Sequence, residues 1–183
     1  MRVIGIAGQA RSGKGTVAGF LAAELVDRGY QVLIDSFATE VKRMARLCGW
    51  NGVKDARGRG LLQRVGAWGR ARSRWFWVGR LERRVMSAEV DFVIVPDARF
   101  RNEVAWCGQH GACWRVVGRG GLEGAAGADA SETELDGAPP EWFSVTFLND
   151  GSLEDLRDAV AHEARNLVSE AAQPGAAVPQ RGG

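Results

Sequence analysis

The chain has 183 residues, 45% hydrophobic and 25% charged, with a formal net charge of +2. That composition is ordinary for a soluble globule and the chain is long enough for one α/β domain; no apolar run approaches the ~20 residues of a membrane span, and no leader is expected ahead of the first apolar stretch. The three cysteines (Cys48, Cys107, Cys113) lack zinc-ligand spacing and the two histidines (His110, His162) stand alone, so metal centres and disulfide scaffolds are not expected and the compartment reads as a reducing cytoplasm.

Arg2–Gly8 reads as the first strand and residues 14–28 as the first helix, with Gly29 suited to its C-terminal cap. Between them, GQARSGKGT at 8–16 has the skeleton of a phosphate-binding loop: Gly8, four residues, then Gly13-Lys14. Glycines there let successive backbone N–H groups (Ala10, Arg11, Ser12, Gly13, Lys14, Gly15, Thr16) converge on a polyphosphate, and the helix start adds partial positive charge. Lys14 is expected to reach the outer phosphates of that ligand, and the hydroxyl that can hold Mg²⁺ falls to Thr16, since Gly15 occupies the usual Ser/Thr position.

Tyr30–Phe37 reads as strand two, with Asp35 at its carboxyl end, and Ala38–Cys48 has helical spacing. Gly49–Gly60 reads as a polar connection, then Leu61–Ala71 and Trp75–Ser87 as two more helices. Residues 42–84 hold 13 Lys/Arg against Asp55 and Glu82 alone, whereas residues 85–183 hold 7 Arg against 16 acids. A basic third beside a phosphate loop implies an anionic second ligand.

Asp91–Val95 is the continuous apolar run of a strand buried on both faces; it ends in Pro96-Asp97, and a helix follows over Arg99–Gly108. Ala112–Gly118 reads as strand four, Trp142–Leu148 as strand five, and Ser152–Val168 as the last helix, opened by a Ser152/Asp155 capping box. The expected fold is therefore a three-layer α/β P-loop kinase fold with a mostly parallel five-stranded sheet flanked by helices, one domain over 1–169 with a disordered tail at 170–183. Residues 38–88 form its helical acceptor-binding region and 115–135 a glycine-rich, lid-like segment with Arg115 and Arg119 at its start. Arg43, Arg64 and Arg70 are candidates for a bidentate grip on an acceptor phosphate, and Asp35 or Asp97 for orienting the acceptor, each with helix capping as the alternative use.

PDARFRNEV at 96–104 resembles the D-x-R-F-x-N-E signature of phage-type deoxynucleoside monophosphate kinases. SFATEVKRMA at 36–45, LLQRVGAWGR at 61–70 with Trp77-Val78, and DASETEL at 129–135 are similar to three further stretches of that family, in the same order. Ala67-Trp68 stands where the family often has Thr-Glu, and Asp129 replaces a common His. The resemblance implies transfer of the ATP γ-phosphate to a deoxynucleoside 5′-monophosphate in the host cytoplasm. It carries roles onto Lys42, Gln63, Arg70, Trp77, Asp97, Arg99, Asn102, Ser131 and Glu132, with Lys14, Asp97 and Arg99 at the reaction centre. Gln63 can offer a donor and an acceptor to a base edge. Trp77, Trp75 or Trp68 can stack on a base, with a place in the core as the alternative. Phe100 reads as core, while Asn102 and Glu103 have fixing the start of their own helix as the alternative use. Two other readings are open: a kinase of the dephospho-coenzyme A type, and an ATP-regulated module that grips nucleic acid with the basic segment. The basic block sits inside helices that match a kinase acceptor site, so nucleic acid is not expected as a partner; nor is a membrane, and a homodimer is left open.

Overall fold

The computed structural model describes residues 1–118, 120 and 127–171. Five strands, β1 (Arg2–Ala7), β2 (Val32–Ile34), β3 (Phe92–Ala98), β4 (Gly111–Gly118) and β5 (Val145–Asn149), form one sheet in the order β2-β3-β1-β4-β5. Every neighbouring pair is parallel, so the sheet is wholly rather than mostly parallel. The helices are α1 (Lys14–Asp27), α2 (Ala38–Leu47), α3 (Ala56–Arg72), α4 (Phe76–Val85), α5 (Arg101–His110), the short α6 (Ala130–Thr133) and α7 (Leu153–Ala171).

The alternation of side chains along β1 sets the layers. Ile4 and Ile6 point to a core shared with Val17, Leu21 and Leu25 of α1 and with Leu156, Val160, Ala164 and Leu167 of α7, spaced to form one helical stripe. Val3 and Ala7 point to the opposite core, under Leu81 and Val85 of α4 and Val104 and Cys107 of α5. Most of these side chains are fully buried, and each valine, leucine or isoleucine among them contributes roughly 1.5–3 kcal/mol against exposure. Gly5 is required by this second face: a Cβ there would lie 2.4 Å from the Cys107 sulfur, so α5 approaches β1 closely only over a bare backbone. A third cluster, built on Ala45, Trp50, Val65 and Trp77, joins α2, α3 and α4 beside the sheet.

The elements differ from the sequence expectation mostly at their ends. β2 is short, stopping at Ile34 before Asp35. α3 begins at Ala56, because Asp55 caps it by accepting from the Gly58 N–H at 2.7 Å; the connection before it is correspondingly shorter. β3 continues through Pro96 and Asp97 to Ala98, with one extra residue opposite the Gly5–Ala7 step of β1. Proline has no N–H for the ladder, and the bulge at this point re-aims the Asp97 side chain. Trp142 lies in a 3₁₀ turn (Pro140–Trp142) ahead of β5, and α7 continues to Ala171, past the expected start of the tail. Residues 172–183, the rest of that tail, and Arg119 and residues 121–126 of the lid-like segment lie outside the described residues. Among the described residues no helix is long and apolar enough to cross a membrane.

Candidate active site

The loop between β1 and α1 takes the form its glycines and lysine predict. Gly8 and Gly13 have φ of +143° and +104°, and Arg11, at +64°, is the non-glycine residue turned into the left-handed region. Gly8 is further constrained by β4, since a Cβ would fall 2.4 Å from the Val116 carbonyl oxygen. Lys14 Nζ curls back to donate to the carbonyls of Gly8 at 2.8 Å and Gln9 at 2.5 Å. Burial and the nearby Arg99 guanidinium pull its ammonium down to a pKa of about 8, against the opposing pull of Glu132 and Asp97. From the end of β5, Asn149 braces the loop by donating to the Ser12 carbonyl at 2.9 Å. The Ser12 hydroxyl is buried and has no hydrogen-bond partner among the described residues, whereas Gly15 and Thr16 face outward on the first turn of α1.

At the end of β3, Asp97 accepts from the Ser36 hydroxyl at 2.7 Å and from the backbone N–H groups of Phe37 at 3.0 Å and Ala38 at 2.9 Å. It caps α2 from a neighbouring strand, a role that falls to it because Phe37 at the N-cap has no oxygen to offer. Arg99 donates to the Ser131 carbonyl at 3.0 Å and to the Glu132 carboxylate, and Glu132 in turn accepts the Ala10 N–H of the phosphate loop at 2.9 Å. One carboxylate thus ties the loop, the end of β3 and α6 together. Glu103, 5% exposed, accepts the N–H groups of Arg99 at 2.8 Å and Phe100 at 3.2 Å. Burial first, and Asp97 second, push its carboxyl up to about 8.

A cavity of about 180 Å³ opens between these groups and the α2–α4 helices. Phe37, Val41, Leu62, Trp77 and Phe100 give it an apolar wall, and Gln63 a polar edge. Lys42, Lys54, Arg59, Arg70 and Arg99 face it, with Asp97, Glu103 and Glu132 as its acids. Arg70 stacks its guanidinium 4.0 Å over the Phe100 ring and, like Lys42, Lys54 and Arg59, has no carboxylate ion-pair partner among the described residues. A second cavity, of about 150 Å³, shares Arg99, Ser131 and Glu132 with the first and extends beside the loop to Ser12, Asp136 and Arg115, which lies 5.3 Å from the Phe143 ring.

Lys42, Gln63, Arg70, Trp77, Asp97, Arg99, Ser131 and Glu132, all named from the sequence, line one cavity. Trp77 is also core: it is 2% exposed and its indole N–H donates to the Gly66 carbonyl at 2.9 Å. Other expected residues are put to different uses. Asp35 is held by Arg84 of α4 at 2.8 Å and by Thr39; burial alone would raise its carboxyl, but these bonds outweigh it and keep it below the ordinary range. Arg43, one residue past Lys42, points away to pair with Glu40 at 2.8 Å, and Arg64 is exposed. Asn102 donates to the Arg74 carbonyl at 2.6 Å, pinning α5 to the α3–α4 turn. Lys54 and Arg59 were missed, being part of what reads as a polar connection; the basic bias of 42–84 was their one signal. Glu103 does fix the start of its helix, and also faces the cavity.

A phosphate loop between β1 and α1 of an all-parallel sheet in this order, with a cavity at the carboxyl edge, defines the fold of the P-loop kinases. Among solved structures the chain is similar to shikimate kinase from Acinetobacter baumannii in complex with shikimate, at 14% identity and a TM-score of 0.53 over 94% of this chain and 96% of that one. It is similar also to shikimate kinase from Aquifex aeolicus, at 12% identity and a TM-score of 0.51 over 91% and 98%. No protein-family model and no curated protein sequence matches the chain.

Proposed function

We propose that this chain is an ATP-dependent kinase that phosphorylates deoxynucleoside 5′-monophosphates. The observation that carries the reading is the first cavity: cations without a carboxylate partner and an aromatic wall meet next to the loop, Asp97 and Arg99. A nucleoside monophosphate has that shape and charge, a flat apolar base joined to a dianion. The ordered motifs shared with phage-type deoxynucleoside monophosphate kinases, most of whose implied residues line this cavity, support the substrate class.

Phosphoryl transfer needs two phosphates in line, neutralised charge and exclusion of water rather than covalent help from the protein. The loop N–H groups and Lys14 take the donor triphosphate, Arg99 neutralises charge on the moving group, and Asp97, held by three donors, orients the acceptor. Arg115, on β4 and lining the second cavity, would approach the donor from that side. Magnesium keeps most of its waters and needs few protein ligands, and Thr16, exposed on the first turn of α1, is the hydroxyl that would serve it. Magnesium held by Thr16 would neutralise part of the triphosphate charge.

A coupled ADP-release assay over all deoxy- and ribonucleoside 5′-monophosphates, with dephospho-coenzyme A and single-stranded DNA as controls, tests the reading. The expected result is ADP release that depends on one or more deoxynucleoside monophosphates. Release stimulated only by dephospho-coenzyme A or by DNA, or by no acceptor, overturns it.

A further inference from the structure

The connection between α2 and α3 is more than a spacer. Trp50, 8% exposed and part of the third core cluster, donates its indole N–H to the Val53 carbonyl at 2.8 Å, and the Val53 N–H donates to Asn51 Oδ1 at 3.0 Å. The first turn of α3 is pressed onto the same carbonyl: a Cβ on Gly58 would fall 2.0 Å from the Val53 oxygen and 2.9 Å from the Trp50 nitrogen. Asp55 closes the knot from the other side by accepting from the Gly58 N–H at 2.7 Å. Lys54 is the residue between the two halves of this knot, and it faces the cavity with Arg59, one turn into α3, and Lys42 of α2.

These three cations gather on one cavity, Lys42 and Arg59 partly buried and Lys54 exposed. None has an ion pair among the described residues. The acids that share their cavity are committed elsewhere: Asp97 to the start of α2, Glu103 to two backbone N–H groups, Glu132 to Arg99 and the loop. Burial, then the charges of Lys42, Arg59 and Arg99, lower the Lys54 ammonium from its ordinary range, against the opposing pull of Asp97. Holding like charges together costs free energy that a bound dianion returns, and a knotted backbone keeps the entropic cost of capture small.

We propose that Lys54 and Arg59, with Lys42, form the clamp for the acceptor's phosphate group, and that the Trp50–Val53–Gly58 knot is the device that positions Lys54. The proposal rests on the kinase reading above for which phosphate it is. Its ligand class, a phosphomonoester dianion, follows from the cation cluster alone. Arg70, packed on Phe100 beside Glu103, then lies along the ring wall of the cavity rather than carrying the phosphate unaided.

Binding is measured by calorimetry on the full chain, with the non-hydrolysable analogue AMP-PNP saturating the loop so that the remaining anion site is the cavity. The probes are inorganic phosphate, the four deoxynucleoside 5′-monophosphates and the four matching nucleosides. Lys54→Met and Arg59→Met each weaken phosphate and monophosphate binding about 10- to 100-fold, the size of one charge-assisted hydrogen bond, and leave AMP-PNP binding within two-fold. Gly58→Ala, which keeps Lys54 but breaks its support, reproduces most of the Lys54→Met loss, and adding Lys54→Met to it costs little more. Lys54→Met does not touch the knot, so the clamp is judged even where Gly58→Ala unfolds the helical region. Monophosphate binding unchanged within two-fold in both Met variants overturns the clamp and leaves the kinase reading standing. Phosphate binding that falls in those variants, with no monophosphate bound by the parent chain, supports the clamp and overturns the deoxynucleotide reading. A nucleoside weakened as much as its monophosphate overturns the phosphate assignment.

Discussion

Glu103 makes a sharp test of the site's electrostatics, because burial and Asp97 move its carboxyl from an ordinary 4.5 up to about 8. The folded chain therefore holds a proton on Glu103 between those two values that the unfolded chain has released. Stability from this group is fully present below pH 4.5, falls as the pH rises, and is lost once the pH passes about 8. The gap of about 3.5 pH units, at 1.36 kcal/mol each, sets the loss at roughly 5 kcal/mol, a large part of the ~5–15 kcal/mol that holds a domain folded. Glu103→Gln keeps an oxygen to accept the Arg99 and Phe100 N–H groups and removes the titration. Urea unfolding of both proteins at intervals from pH 5 to pH 9 isolates the group, since every other titration is common to the two. The parent loses several kcal/mol relative to the variant across that range. Above pH 8 the parent's acceptor KM also rises, as a second negative charge appears beside Asp97, and the variant's does not. Two unfolding curves that stay parallel within about 0.5 kcal/mol would refute the reasoning, because the burial cost would then be absent.

Lys14→Ala lowers turnover by about three orders of magnitude with an unchanged melting curve, and a folded variant of near-normal rate removes the loop from the mechanism. In the parent, the Lys14 ammonium at about 8 is drawn back up by a bound triphosphate, so calorimetry near pH 8.5 in buffers of different ionisation enthalpy records proton uptake on ATP binding; its absence contradicts the burial of that charge. Arg70→Ala raises the acceptor KM by about 2–4 kcal/mol in free-energy terms with little effect on that of ATP, while Arg43→Ala, exposed and paired with Glu40, changes both less than two-fold; equal effects of Arg70→Ala on both substrates assign it to structure. Arg99→Lys keeps the charge but not the planar guanidinium, whose Nη1 donates to both Glu132 and Ser131, and it lowers the single-turnover rate for every acceptor; early melting with a normal rate makes Arg99 a brace alone.

What the sequence makes legible is what is local in it. The loop is nine consecutive residues whose chemistry needs glycine at Gly8 and Gly13, so its conformation can be read from spacing, and β3 is legible as an unbroken apolar run. Asp97 is visible as a carboxylate at a strand end, but its partners are not, since Ser36, Phe37 and Ala38 lie about 60 residues away and reach it only through the β2–β3 pairing. The same holds for Asp35, whose Arg84 partner depends on how α4 crosses the end of β2. Arg43 shows the limit of counting charges: one residue along a helix turns the side chain by about 100°, which carries Lys42 into the cavity and Arg43 out to Glu40. The knot at Trp50–Gly58 has no periodic signature, and a single bare backbone position under the Val53 carbonyl separates a built wall from an ordinary loop.

The basic bias of residues 42–84 is resolved by what each cation touches. Arg46, Arg72, Arg74 and Arg80 lie over the rings of Trp50, Trp68, Trp75 and Phe76, where the guanidinium covers apolar surface that the helices leave near solvent. Arg84 and Arg43 are matched to Asp35 and Glu40, and Arg83 donates to the Gly79 carbonyl of its own helix. The cations of this segment that line the first cavity without a carboxylate partner are Lys42, Lys54, Arg59 and Arg70; Lys42, Arg59 and Arg70 are partly buried and Lys54 is exposed. A strip that grips a nucleic-acid backbone spreads its free charges along a surface and loses affinity steeply with salt. Charges that converge on one cavity beside Asp97 and Arg99 act on one phosphate at short range, so monophosphate affinity here falls only weakly between 50 and 200 mM salt, whereas a steep fall would return the basic segment to the role of a polyanion-binding surface.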